Sequence, residues 1–326
     1  MQVGLTYDLI DDYAGRKDIP PDLCMEFDTE ATIQAIQEAI EQLGHQVRRI
    51  GNIYQLVKFL AAGGSVDLVF NVAEGLWGRA REAQVGALLE AYRIPYTLSD
   101  PLTMALCLDK AMTKRIWQRE GLPTPAFVVI GDLADIDQAT SSLPDFPLFV
   151  KPVHEGSSMG IGPQSIVTGA QALYERVQFI LEQYKQPALV EEYLPGREFT
   201  VGILGNGSKA RVLGVTSRIE AVLVSDGSQK EKWTDQTVEP IAKGPLRDQL
   251  EDLALRAYRA VECKDAGRLD TRLDKDGRPY LLEINALMGL RPKSSALPII
   301  ARQAGMAYPQ LIAEILQHAI ERWGLA

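Results

Sequence analysis

Cysteine is scarce in this 326-residue chain: Cys24, Cys107 and Cys263 are odd in number and far apart. With no CxxC pair and no Cys/His metal spacing, they read as reduced thiols of a cytosolic protein rather than a disulfide framework. Histidine is as rare. His45, His154 and His318 lie near no candidate Ser or Cys nucleophile in the sequence, which argues against a hydrolase triad. No stretch of about 18 apolar residues runs without a charge, so no bilayer-spanning helix is expected. Met1 to Tyr13 lacks a basic start and meets Asp8, Asp11 and Asp12, unlike a secretory signal. The 34 Lys and Arg are outnumbered by 43 Asp and Glu, leaving −9. That balance excludes a general nucleic-acid or anionic-membrane binder but allows one local basic pocket. Two phosphate-binding fingerprints are also missing: no GxGxxG follows the first strand, and GxxxxGK[ST] occurs nowhere.

What is present is a globular composition, 46% hydrophobic with 27 Gly and 18 Pro, which excludes a disordered or fibrous chain. At roughly 150 residues per domain the length suggests two or three domains. The first hundred residues alternate strand and helix signals. Gln2 to Leu5 reads as a strand, followed by a loop with Pro20 and Pro21. Ile33, Ile36, Ile40 and Leu43 recur at helical spacing between a candidate cap at Asp28 and a stop at Gly44. Val66 to Val72 is a buried-strand run, and Ile94 to Tyr96 begins another extended piece. This βαβ rhythm predicts a small open parallel sheet. From Asp100 the pattern changes to a helix through Lys110 to Trp117, ending at Gly121 before a linker marked by Pro123 and Pro125. Strands are predicted at 127–130, 148–151, 189–191, 199–204, 212–216 and 280–284. A last helix opens at Pro309, with Leu311, Ile312, Ile315, Leu316, Ala319 and Ile320 on one stripe. The class is α/β leading into α+β.

Three segments carry chemistry. In the first, Lys151 ends an apolar strand and Gly156-Ser157-Ser158-Met159-Gly160-Ile161-Gly162 follows. Small residues let backbone N–H groups close on phosphate oxygens, hydroxyls add donors, and Lys151 supplies a point cation. A plain surface loop is the competing reading. The second is a hairpin read from Asp276-Gly277, a two-residue turn signal. That turn sets Asp270 opposite Glu283 and Arg268 opposite Asn285, with all four side chains on one face. Opposed carboxylates repel unless compensated, and hard oxygen ligands suit a Mg²⁺ carried on nucleotide phosphates. A solvated hairpin in which Arg268 merely pairs with Asp270 is the alternative. In the third, Leu189 to Phe199, a strand breaks and resumes. Such a break exposes backbone groups able to read an adenine edge, with a carboxylate beyond it for ribose hydroxyls, although linker surface charge would look the same.

Together, and in this order, these segments resemble the ATP-grasp superfamily, and more closely the D-alanine–D-alanine ligase family. The resemblance rests on Pro95-Tyr96-Thr97, Leu108-Asp109-Lys110, Thr113-Lys114, Lys151-Pro152, Glu155-Gly156-Ser157-Ser158, Glu198-Phe199-Thr200-Val201 and Glu283-Ile284-Asn285. It implies an ATP-grasp fold with an N-terminal open parallel α/β domain at 1–100, a central subdomain at 101–195 and a C-terminal subdomain with the metal site at 196–326. It further implies an ATP-dependent ligase that makes an acyl phosphate, which an amine attacks to give an amide, ADP and phosphate. ATP would be held by Lys110, Lys151, Ser158, Glu191, Tyr193, Leu194, Glu198 and the mobile-loop Lys230. Two Mg²⁺ ions, with Mn²⁺ as a substitute, would be held by Asp270, Glu283 and Asn285. Arg268 and the backbone of Gly289 would stabilise the oxyanion. Ser157 would orient the N-terminal contacts, and Ser294 would take the acceptor carboxylate. The partners implied are ATP and small amino-acid-like substrates, with no nucleic acid or membrane and a homodimer as one allowed assembly.

The chain departs from the family where the amino acids bind. The N-terminal Gly-Gly-x-Ser loop and its glutamate are not recognisable, Glu26 being an approximate substitute. The family's His-Gly-x-x-Gly-Glu-Asp-Gly segment is replaced by Ala73 to Glu82, and its Pro-Gly-Met-Thr run by Met288-Gly289-Leu290-Arg291. Arg79 and Arg81 would therefore take an additional substrate carboxylate and Trp77 would cover a larger side chain, so a bulkier or acidic first substrate is expected in place of D-alanine. The bland alternative pairs these charges with each other. Other ligase substrates, or a nucleotide-binding switch without chemistry, are the competing functions.

Overall fold

The computed structural model describes residues 1–16, 19, 22, 26–218 and 237–325. Pro20, Pro21, Cys24 and Lys230, singled out by the sequence, lie outside the described residues.

β1 (Gln2–Tyr7) leads to α1 (Glu30–Gln42), whose buried stripe includes Ile33, Ile36 and Ile40. Its N-cap is Thr29, whose hydroxyl accepts the Thr32 amide, not Asp28 as the sequence suggested. Asp28 is buried instead, 3.6 Å from Arg291. β2 (Gln46–Gly51), α2 (Ile53–Ala61) and β3 (Leu68–Val72) complete a parallel sheet of order β2-β1-β3. The extended piece expected at Ile94 reduces to a single bridge between Val69 and Tyr96. α3 (Ala83–Ala91), α4 (Pro101–Leu108) and α5 (Lys110–Arg119) follow. Asp100 and Asp109 cap the last two. α5 lies against the final sheet and its covering helix at 245–260, where the Trp117 indole N–H donates to the Ala257 carbonyl. The proline-marked stretch after it is no loose linker: the buried Thr124 hydroxyl donates to Leu281 O at 2.9 Å.

A middle antiparallel sheet, ordered β4-β7-β5-β6, is built from β4 (Phe127–Ile130), β5 (Leu148–Pro152), β6 (Ile166–Val167) and β7 (Ala188–Glu192). α6 (Ile136–Thr140) and α7 (Ala170–Gln183) contribute to its separate apolar core, in which Leu173, Val177 and Ile180 pack with Val150 and Val190. The third sheet is ordered β10-β9-β8-β11-β12. Its strands are β8 (Glu198–Leu204), β9 (Arg211–Arg218), β10 (Val238–Pro240), β11 (Ala266–Leu273) and β12 (Pro279–Asn285), with α8 (Pro245–Ala260), α9 (Ala296–Gln303) and α10 (Tyr308–Trp323) as its helices. Gly202 and Gly214 let α9 lie directly on β8 and β9, since an added Cβ would meet Leu297 or Ile300 at 2.9 Å. The α10 stripe is buried as the periodicity predicted. One core cluster runs from α1 and the first sheet through α10 and α8 to this third sheet. Among the described residues no helix is long and apolar enough to cross a membrane.

Candidate active site

The β11–β12 hairpin places Arg268 opposite Asn285 and Asp270 opposite Glu283, as the sequence implied, but not through the turn the sequence suggested. Asp274 and Arg278 are bonded backbone to backbone, so the loop has three residues, closed by Gly277 at φ +80°. The Asp274 carboxylate accepts the amides of Asp276 and Arg278, both at 2.8 Å. A bulge at Leu282 then restores the expected pairing at the functional end. In consequence Leu281, rather than Leu282, is buried in the core.

The carboxylate wall is tightly held. Asp270 accepts from the Thr200 hydroxyl at 2.6 Å and from Arg268 at 2.9 Å. Burial pushes its pKa up to about 6 against the pull of Arg268, with Glu283 adding to the rise. Burial would raise Glu283 too, but Lys110, Lys151 and Arg268 hold it below the usual carboxylate range, with Lys110 Nζ 3.7 Å away. Asn285 Nδ2 is buried without a hydrogen-bond partner. Among the described residues no group of three or more His, Cys, Asp or Glu side chains is placed to hold an ion alone. Two carboxylates and one amide are hard oxygen donors making half a coordination shell, which fits Mg²⁺ completed by phosphate and water.

The cationic wall comes from β5, β7 and α5. Lys151 Nζ lies 2.8 Å from one oxygen of Glu191, and Lys114 Nζ lies 3.0 Å from the other, all three side chains being buried. Burial alone would raise the Glu191 pKa, but the two lysines lower it to about 2. Burial lowers Lys114 to about 8. Lys151 is also opposed by burial, yet Glu191 and Glu283 carry it above the usual lysine value. The Glu191 carboxylate, expected at adenine, is therefore engaged by two lysines, and its neighbours differ from it. Leu194 is buried, Tyr193 is half-buried beneath the Arg272 guanidinium, and Glu198 is half-buried 3.7 Å from Arg272. Lys110 Nζ donates to the carbonyl of Glu155 at the start of the Gly/Ser loop. The sequence named Lys114 only within the Thr113-Lys114 motif of the resemblance and gave it no role of its own.

In the Gly/Ser loop, Ser157 and Ser158 are exposed and adopt successive left-handed conformations, φ +46° and +57°. Such backbone strain in non-glycine residues concentrates at ligand-binding loops. Met159 is buried among Tyr13, Ile19, Phe27 and Leu76, which ties the loop to the N-terminal unit. Gly289 is exposed and Ser294 half-buried on the turn after β12. The Ser295 hydroxyl, which the sequence did not single out, organises that turn by accepting the Arg291 amide at 3.0 Å.

Arg79 and Arg81, expected at a substrate carboxylate, both carry acidic partners here. Arg81 is buried, 2.8 Å from Glu26, 3.2 Å from Glu155 and bonded to the His154 carbonyl. Arg79 pairs with Asp109, which also meets His154 at 3.2 Å. Charges separated by 55 residues in sequence, as in Glu26 and Arg81, meet only in the fold. Glu82 is buried nearby with a pKa pushed up by burial to about 8, and burial raises Glu74 as well. Trp77 remains exposed, with Arg16 stacked over it at 5.4 Å.

A family model described as D-ala D-ala ligase C-terminus matches residues 116–317. A D-alanine–D-alanine ligase of Bordetella avium is 35% identical over 296 residues, 87% of this chain and 87% of that protein. An uncharacterized Sinorhizobium fredii protein, y4sG, is 36% identical over 307 residues, 89% of this chain and 87% of its own. The crystal structure of the D-alanine–D-alanine ligase from Bacillus anthracis complexed with ATP superposes with a TM-score of 0.73 at 22% identity, covering 100% of this chain and 99% of that one. This likeness establishes the ATP-grasp fold with its N-terminal parallel sheet. Matched by the family model over most of its length and by relatives across nearly all of it, the chain belongs to the D-alanine–D-alanine ligase family.

Proposed function

We propose that this protein is an ATP-dependent ligase that joins a carboxylate to an amine through an acyl phosphate, releasing ADP and phosphate. The observation that carries the reading is the Asp270–Glu283 pair beside Asn285 and Arg268, met by Lys110 and coupled to Lys151. Opposed acids on one hairpin, faced by buried lysines from a strand and a helix, suit a triphosphate with its metal. Lys110, Lys151 and the Ser157–Ser158 backbone bind the phosphates, while Tyr193, Leu194 and Glu198 bind the nucleoside side. Asp270, Glu283 and Asn285 would hold Mg²⁺, which when bound would offset phosphate charge. The first carboxylate takes the terminal phosphoryl group of ATP, the amine attacks the acyl phosphate, and phosphate leaves as the tetrahedral centre collapses. Arg268 and the Gly289 N–H donate to the oxyanion of that centre. Lys230 remains a proposal from the resemblance alone, as does Ser294 at the acceptor carboxylate.

The relatives' names make D-alanine the first substrate to test. An acidic first substrate would have to compete with Asp109 for Arg79 and with Glu26 and Glu155 for Arg81. A coupled ADP assay with D-alanine and with pairs of other amino acids tests the reading. Activity should require ATP and Mg²⁺, and Asp270→Asn or Glu283→Gln should lower turnover at least about tenfold, a loss near 1.4 kcal/mol. Unchanged turnover in both variants, or AMP and pyrophosphate as products, would sink the ligase assignment.

A further inference from the structure

The proposed chemistry assigns nothing to Lys114, although it is fully buried beside Glu191. Its ammonium reaches Glu191 at 3.0 Å and the Thr124 hydroxyl at 2.8 Å, and Thr124 in turn donates to Leu281 O on β12. Glu191 thus has one oxygen on Lys114 and the other on Lys151. These contacts define a charge balance that changes when nucleotide binds. A triphosphate that engages Lys151 draws its cation away from a carboxylate with no access to water. A buried carboxylate stripped of its partner is strongly unfavourable, so it would hold Lys151 back.

We infer that Lys114 is a positioning residue, holding the charge of Glu191 so that Lys151 can turn to the triphosphate. The inference rests on the proposed role of Lys151 as a phosphate ligand. It assigns Lys114 a job that neither packing nor direct phosphate contact supplies: it is the standing counter-ion, and Lys151 the transferable one. The Thr124–Leu281 link also fixes the lysine to the strand that bears Glu283. One buried ammonium therefore registers the cationic wall against the carboxylate wall.

The test is ATP binding by calorimetry in Mg²⁺, together with steady-state kinetics. Lys114→Met should raise the dissociation constant for ATP at least about tenfold while the rate at saturating ATP falls much less, because the phosphate contact acts in the ground state. The double variant Lys114→Met with Glu191→Gln removes the carboxylate charge that traps Lys151, and should return ATP affinity to within about threefold of the unmodified protein. A role in packing alone predicts no such rescue. Should Lys114→Met fail to fold by circular dichroism, the double variant decides. Affinity within that range supports the counter-ion role, whereas affinity as poor as about tenfold below wild type overturns it. An unchanged ATP affinity in Lys114→Met overturns it as well. Lys151→Met separates the two levels: if it binds ATP normally, the reading of Lys151 itself fails, whereas loss of binding there with no rescue in the double variant defeats only the inference about Lys114.

Discussion

The middle and third sheets meet at the same cleft but are built on different terms. The middle sheet closes its own apolar cluster, around Val150, Ile180 and Val190, and brings lysine to the site. The third sheet shares one continuous core with the N-terminal sheet and brings carboxylates. Between the middle sheet and α5 lies a small apolar cluster of Ala111, Val153 and Leu189, alongside the Lys114–Glu191 pair. A unit whose core is complete by itself can shift against its neighbours without exposing much apolar surface, whereas one that shares its core cannot. The contrast teaches that the carboxylate wall is set within a core shared with the N-terminal sheet, whereas Lys151 comes from a sheet with a core of its own.

The largest test of that contrast is a pair of cavities. Ile180→Ala and Leu250→Ala should each cost about 2–5 kcal/mol, since both side chains are fully buried. Leu250→Ala is expected to lower the main thermal transition, while Ile180→Ala should loosen residues 127–192 first. Hydrogen exchange that rises equally in both sheets in the two variants would erase the distinction.

A second test divides binding from chemistry. Arg268→Ala, on the carboxylate wall, should lower kcat by about 10² as an oxyanion donor does. Lys151→Met, on the cationic wall, should mainly raise KM for ATP, about tenfold or more. Equal effects of both variants on ATP affinity would show that the two walls do not divide the work.

A third test concerns the seam with the N-terminal unit. Burial raises Asp28 to about 7 and Glu82 to about 8, against unfolded values near 4. The folded protein therefore keeps protons that the unfolded chain releases, so stability is greatest at the acid end of this range and falls as pH rises through 7–8. Each pH unit over which one such carboxyl stays protonated removes about 1.4 kcal/mol. Chemical denaturation between pH 6 and 9 should show this decline, and Glu82→Gln should flatten it. Stability that climbs over the same interval would contradict the burial of these groups as acids.

Local signals determined much of this protein. The α10 stripe and the apolar strands of the three sheets follow from periods of 3.6 and 2 read along short stretches. Edge strand β2, with Arg48 and Arg49 interrupting its apolar run, carried too weak an alternation to be seen. The hairpin is instructive, because two local errors cancelled: a three-residue loop and a bulge at Leu282 together reproduced the pairing that a two-residue turn would have made. Tertiary structure alone decided which charges neutralise which. Arg81 looked available to substrate until the fold brought Glu26 and Glu155 to it, and Lys114 looked like an ordinary helix lysine until β7 placed Glu191 beside it. The reason is physical: hydrophobic patterning is repeated along an element and can be read there, whereas an ion pair depends on two side chains distant in sequence being buried at the same point, which no local period encodes.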